Sequence, residues 1–274
     1  MLRMVLSTMW TTEELDRYAR HIILPGVGGR GQAKLKNSSV LVVGAGGLGA
    51  PILLYLAAAG VGRIGIVEMD KVDLSNLQRQ VLYASDEVGL SKAQAAKARL
   101  LNLNPHITVD LYPEKLTSEN GLEVLAPYDL VLDGSDNFPT RYLVNDACVI
   151  LGKPLVYGAI HQFDGQVAVF HHQGGPCYRC LYPKPPAPGT VPNCAEAGVF
   201  GVLPGVVGSL MATEALKVLL GLGESLSGRL LLYDGLYGEF RGLEAKRDPA
   251  CPVCGDAPRI TALQDYEAFC GISS

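Results

Sequence analysis

Residues 38–50 read SSVLVVGAGGLGA, and this stretch decides the fold. Val40 to Val43 form a short, wholly apolar run, the pattern of a strand buried on both faces. The glycines that follow, Gly44-x-Gly46-x-x-Gly49, allow a tight turn and let a phosphate approach backbone N–H groups at a helix N-terminus. The helix then continues through PILLYLAAAG (51–60), and RIGIVEMD (63–70) is a second apolar strand that ends in acids. Glu68 lies where a carboxylate accepts hydrogen bonds from ribose hydroxyls. Strand, glycine turn, helix and acid in this order predict a nucleotide site.

The same alternation extends outward. Thr11 caps a helix over TTEELDRYARHIIL (11–24), which Pro25 and the GVGGRG run (26–31) end. KVDLSNLQRQVLY (71–83) reads as loop, and Ser91 to Leu103 as a helix stopped by Asn104-Pro105. ITVDLYP (107–113), DLVLDGSDN (129–137) and KPLVYGAI (153–160) are further strands. Short and long helices separate them over 118–125 and from about Phe138 to Leu151. Strands alternating with helices predict a mostly parallel sheet covered on both faces. The pattern then changes. FDGQVAVFHH (163–172) is a hairpin strand, and CYRCLYPKPPAPGTVPN (177–193) is a loop punctuated by Pro183, Pro185, Pro186, Pro188 and Pro192. A long apolar helix runs to about Leu220, and GRLLLYDG and YGEFRGLEA form a closing hairpin.

The chain has 274 residues, 48% hydrophobic and 18% charged, with net charge −4 and pI near 5.7. Such a chain buries a sizeable core without staples. Its acidic balance argues against general nucleic-acid binding. The uncharged tract Ala197–Thr213 is short and interrupted by Pro204 and several glycines, so it reads as a buried core or interface helix and not a span. The N-terminus is no export signal, which predicts a cytoplasmic protein. Residues 1–10, with Met4 and Met9 as alternative starts, read as an extension. Residues 11–274 read as one domain, with a nucleotide-binding half to about 160 and a second half beyond it.

Several side chains carry chemistry. Asp70, Asn76, Arg79, Gln80 and Lys92 follow Glu68 closely. A nicotinamide-binding domain needs few cations beyond the pyrophosphate, whereas a nucleoside triphosphate needs cations and amide donors around its tail. Asp136 and Asn137 follow the fourth strand, at the end of the sheet where ligands bind. Asp136 suits Mg²⁺, and either residue suits a cap for the helix at Phe138. Cys177/Cys180 and Cys251/Cys254 are paired C-x-x-C knuckles whose four thiolates predict a closed structural Zn²⁺ site; redox dithiols or unrelated free thiols are the other readings. His171 and His172 are surplus to such a site. Cys194, at the end of the proline-rich loop, reads equally as a reactive thiol or an ordinary one. Cys148 reads as a small buried residue, and Cys270 as incidental.

Taken together, RYARHIILPGVG (17–28), VLVVGAGGLGAP (40–51), DLSNLQRQVLY (73–83), VGLSKA (88–93), LVLDGSDNFPTRYLVND (130–146), CYRCLYP (177–183), NCAEAGVFG (193–201) and CPVCG (251–255) resemble the adenylyltransferases of the MoeB, ThiF and HesA family, bacterial relatives of ubiquitin-activating enzymes. The likeness runs from about Thr11 to Cys254 and matches the short form, without an appended rhodanese domain. It implies an α/β fold: a Rossmann-like, mostly parallel sheet with flanking helices, an antiparallel C-terminal portion and a Cys₄ zinc site. It implies ATP- and Mg²⁺-dependent adenylation of the Gly-Gly carboxylate of a ubiquitin-like sulfur-carrier protein. A sulfur donor of the cysteine desulfurase or rhodanese type then acts on the adenylate. On this resemblance Gly44, Gly46, Gly47 and Gly49 lie against the nucleotide and Glu68 holds ribose, where the family often has Asp. Asp70, Ser75, Asn76, Arg79, Gln80 and Lys92 serve the nucleotide and its phosphates. Asp136 serves Mg²⁺ and adenylation, with Asn137 beside it. Arg20 reaches the site of a neighbouring subunit, which implies a homodimer; His21 stands where the family commonly has Gln. Cys194 matches a loop cysteine that is covalently active in some members and dispensable in others. A carboxylate on modified tRNA, and a non-catalytic partner of the same fold, are the other readings. The knuckles, the SNLQRQ string and the acidic pI argue against the first, and intact Arg79, Lys92 and Asp136 against the second.

Overall fold

The computed structural model describes residues 10–186 and 198–266. Among them, eight strands form one sheet in the order β3-β2-β1-β4-β5-β6-β7-β8. The strands are β1 Ser39–Val43, β2 Arg63–Val67, β3 Thr108–Tyr112, β4 Leu130–Asp133, β5 Leu155–His161, β6 Asp164–Phe170, β7 Arg229–Asp234 and β8 Glu239–Glu244. β3, β2, β1, β4 and β5 run parallel, and β5 to β8 form an antiparallel meander. The helices are α1 Thr12–Arg17, α2 Ala19–Ile22, α3 Gly28–Lys36, α4 Gly49–Ala59, α5 Lys92–Leu103, α6 Gly121–Leu125, α7 Phe138–Ile150, α8 Tyr178–Leu181 and α9 Leu203–Leu220.

The alternation within β1 builds a core on each face of the sheet. Val40 and Val42 point to the layer that holds Ile52, Leu53, Leu56, Val207 and Met211 of α4 and α9. Leu41 and Val43 point to the other layer, with Tyr142, Val144 and Ala147 of α7. α9 is long and apolar enough to cross a membrane by length and composition, and half of it is buried here. A Cβ at Gly208 would stand 2.5 Å from a Pro51 ring carbon, so glycine lets α9 lie directly on α4.

Three expectations need correction. The glycine run at 26–31 does not only end the first helix: α3 starts inside it, at Gly28. Gln32 and Leu35, both fully buried, anchor α3 to the sheet layer and override its poor local propensity. The stretch after Cys177 is not all loop either, because Tyr178–Leu181 is a helical turn. The first helix is also broken at Tyr18 into α1 and α2. Residues 1–9, Cys194 and Cys270 lie outside the described residues.

Candidate active site and cysteine cluster

In-register parallel pairing places Val43 beside Val67 on one side and Asp133 on the other. The chain segments leaving β1, β2 and β4 therefore emerge together, and they enclose a cleft of about 230 Å³. Gly44, Gly46, Gly47, Glu68, Asp70, Arg79, Gln80, Lys92, Asp136 and Asn137 all line it.

The glycines have separate reasons. Gly44 has φ +88°, and a Cβ there would sit 3.0 Å from the Gly134 carbonyl. A Cβ at Gly49 would lie 2.0 Å from the Gly44 carbonyl, so this glycine closes the turn onto α4. The Tyr83 hydroxyl donates to the Ala45 carbonyl at 2.8 Å and holds the turn from outside. The Ala45 and Asp70 N–H groups donate to the two Glu68 oxygens at 3.0 and 2.9 Å. The carboxylate is thereby fixed, while each oxygen keeps acceptor capacity toward the cleft.

The cations are held in place by their surroundings. The Lys92 side chain is 7% exposed, with Nζ 3.2 Å from an Asp70 carboxylate oxygen. Its backbone N–H donates to the Asp70 carbonyl at 2.9 Å. Arg79 donates from Nη1 to the Ser75 carbonyl at 3.1 Å. Gln80 is buried, and its Oε1 has no partner among the described residues. Ser75 and Asn76 do not line the cleft. The Ser75 hydroxyl and N–H donate to Asp73, and the Asn76 side-chain oxygen accepts the Asp73 N–H. Asn137 makes the helix cap, accepting from the Thr140 N–H at 3.0 Å, and exposed Asp136 is left facing the cleft. Arg20, on α2, is exposed and away from this chain's own cleft. His21 Nδ1 lies 3.0 Å from the oxygen of buried Gln32, which in turn donates to the Ala59 carbonyl.

Sequence reasoning passed over Lys115, Thr140 and Arg141, which also line the cleft. The sequence marks the whole Asp133–Asn137 stretch but points to roles only for Asp136 and Asn137. Asp133 is 1% exposed and accepts the Ser135 N–H and hydroxyl on Oδ1, with Oδ2 unpartnered among the described residues. Burial pushes its carboxyl above the ordinary aspartate range.

Remote from the cleft, the Sγ atoms of Cys177, Cys180, Cys251 and Cys254 lie within 4.8 Å of one another. Three of the separations are 3.4, 3.6 and 3.9 Å. A tetrahedral ion with metal–sulfur bonds of about 2.3 Å would place its sulfurs about 3.8 Å apart, so the donor set fits such an ion. Each knuckle is closed by a backbone hydrogen bond to its first cysteine: the Cys180 N–H donates to the Cys177 carbonyl three residues back, and the Gly255 N–H to the Cys251 carbonyl four residues back. Between the first two cysteines, Arg179 reaches into the protein. It makes a two-pronged ion pair with fully buried Asp146 on α7, at 2.7 and 2.9 Å. The Tyr266 hydroxyl donates to the same carboxylate at 2.6 Å.

The ThiF family profile matches residues 18–253. The chain belongs to the ThiF family. The sulfur carrier protein adenylyltransferase of Thermus thermophilus is 68% identical over 268 residues, which are 96% of this chain and 99% of that protein. The adenylyltransferase and sulfurtransferase MOCS3 of Mus musculus is 53% identical over 263 residues; the match takes in 96% of this ThiF-family chain but 57% of the mouse protein. Among solved structures, E. coli MccB with ATP superposes with a TM-score of 0.77 at 25% identity, over 87% of this chain and 74% of that one. The glycine turn, Glu68 and three of the four knuckle cysteines fall inside the range of the family profile, which ends one residue before Cys254.

Proposed function

We propose that this protein adenylates the C-terminal Gly-Gly carboxylate of a ubiquitin-like sulfur-carrier protein, preparing it for thiocarboxylation. The observation that carries this reading is a single cleft holding the glycine turn, Glu68, Arg79, Lys92 and Asp136 in a chain 68% identical to a sulfur carrier protein adenylyltransferase. Glu68 accepts the ribose hydroxyls, and the glycine turn offers backbone N–H groups to phosphate. Arg79 and Lys92 neutralise the triphosphate. The carrier's carboxylate oxygen attacks the α-phosphorus as the bond to the bridging oxygen breaks, and pyrophosphate leaves with that electron pair. A carboxylate nucleophile needs no general base. Catalysis is therefore positioning and charge stabilisation. Asp136 is the cleft carboxylate suited to hold Mg²⁺, which when bound neutralises phosphate charge.

The cysteine cluster is read as a structural zinc site, since four thiolates leave no open position for catalysis. Exposed Arg20 is assigned to the cleft of a second copy, which makes the enzyme a homodimer. A cysteine desulfurase or rhodanese-type sulfur donor rests on the family resemblance; a cytoplasmic location rests on the reading of the N-terminus, and a covalent role for Cys194 on its place at the end of the proline-rich loop together with the resemblance. The deciding experiment is ATP–pyrophosphate exchange with Mg²⁺ and carriers ending in Gly-Gly, run beside carriers lacking the last Gly. Exchange that requires the intact tail is expected. Arg79→Ala is expected to lower it by about 10²–10³-fold with the fold intact. No exchange with any carrier from folded, metal-loaded protein would overturn the assignment.

A further inference from the structure

Arg141 occupies the side of the cleft away from Glu68. It stands in the first turns of α7, after β4, while Glu68 follows β2 on the far side of the glycine turn. Its guanidinium lies 5.5 Å from the Phe138 ring centre and 5.6 Å from that of Tyr157, which hold the stem and plane in place. Nη2 donates to the Ser135 carbonyl over a long 3.4 Å, and the Tyr178 hydroxyl is a further hydrogen-bond partner of the guanidinium. Nε is buried and lacks a partner among the described residues, and so does Oδ2 of the neighbouring Asp133. The two opposite charges lie close without pairing. Asp133 is already committed to Ser135 through Oδ1. A guanidinium that lines a cleft with an unused Nε–H and a long bond at Nη2 suits an incoming planar anion.

We propose that Arg141 is a substrate-binding residue that receives the carrier's terminal carboxylate and aims it at the α-phosphorus. This rests on the adenylation reading above. The nucleoside end is assigned to Glu68 and the phosphates to the glycine turn, Arg79 and Lys92. The remaining side of the cleft, lined by Thr140, Arg141, Ile160 and Val199, is where an acyl group enters. Arg141 offsets the repulsion between carboxylate and triphosphate. One carboxylate oxygen forms the new bond to phosphorus, and the guanidinium keeps the other as the acyl oxygen of the adenylate.

The test compares a Gly-Gly carrier with the same carrier made as its C-terminal carboxamide, each binding enzyme loaded with a non-hydrolysable ATP analogue. Wild type is expected to prefer the carboxylate by about 10- to 100-fold, the range for a hydrogen bond to a charged group. R141M is expected to bind both alike and to raise the carrier KM in exchange, with ATP-analogue affinity and melting temperature near wild type. R141K keeps the stem and charge but not the fork, so it is expected to retain part of the preference. Full preference in R141M, or in R141K should R141M not fold, overturns the assignment and leaves adenylation standing. A tenfold loss of ATP-analogue affinity with the preference intact makes Arg141 a phosphate ligand instead. Absence of carrier-dependent exchange in wild type overturns the adenylation reading and this assignment with it.

Discussion

Gly46 and Gly49 belong to one turn but are required for different reasons. At Gly46 a Cβ would meet the Gln80 side-chain nitrogen at an ordinary 3.5 Å, so the protein itself has room for a methyl group. The space is needed by a ligand lying against the backbone. Gly46→Ala is expected to fold with an unchanged melting temperature and to lose at least about tenfold in ATP affinity, measured by titration calorimetry. Gly49→Ala is expected to destabilise the fold itself, because its Cβ would lie 2.0 Å from a backbone carbonyl. Glu14 is a second residue whose surroundings make a prediction. Burial opposes its ionisation, but the Lys36 ammonium and the Thr11 groups outweigh that and hold its carboxyl below the ordinary glutamate range. A lowered folded-state pKa stabilises the fold above the unfolded-state value and stops doing so as pH falls through the folded one. Glu14→Gln is therefore expected to lower stability near neutral pH and to flatten the acid limb of a denaturation profile; an unchanged limb would dismiss the ion pair as a contributor.

At the scale of elements, α7 joins two sites. Asn137, Thr140 and Arg141 face the cleft from its first turns. Asn145 and Asp146, further along the helix, hold the Tyr178 N–H and the Arg179 guanidinium of the first cysteine knuckle. Arg179 also lies 4.6 Å from the Tyr142 ring centre and 5.0 Å from that of Tyr266. Removing one partner leaves a buried charge uncompensated, so Asp146→Ala is expected to cost about 3–5 kcal/mol in chemical denaturation. A cost below 1 kcal/mol would mean that Arg179 finds another partner or water. The sequence shows α7 through its Asn137-Phe-Pro start, yet nothing in CYRC or LVND reveals that the two stretches meet. The same holds for α3, whose glycine-rich start reads as a break until Gln32 and Leu35 are seen buried.

Across the whole molecule, the knuckles pin residues 251–254 to the middle of the chain, and Tyr266 continues that attachment onto Asp146. Metal removal should therefore loosen the C-terminal segment before the eight-stranded sheet. Chelation or Cys177→Ser is expected to lower the melting temperature by about 10 °C, the shift that a few kcal/mol produces in a domain of this size. Far-UV dichroism is expected to persist at room temperature. Metal analysis should find one zinc per chain, lost in the variant; a full zinc content in Cys177→Ser would exclude that thiol as a ligand.

The sequence by itself determined the parallel half of the sheet, the glycine turn with Glu68, and the pairing of two cysteine knuckles. These signals are local: apolar runs, a spacing of glycines, and thiols placed two residues apart. Cys194 was legible only as a motif. Only the tertiary structure decided which side chains share the cleft. Asp133 and Arg141 look like the end of a strand and the start of a helix until β4 and β5 set Tyr157 beside them. The buried pair of Arg179 and Asp146 is likewise invisible along the chain. Contacts between residues distant in sequence follow from how helices pack on a twisted sheet, and residue spacing carries no record of that packing.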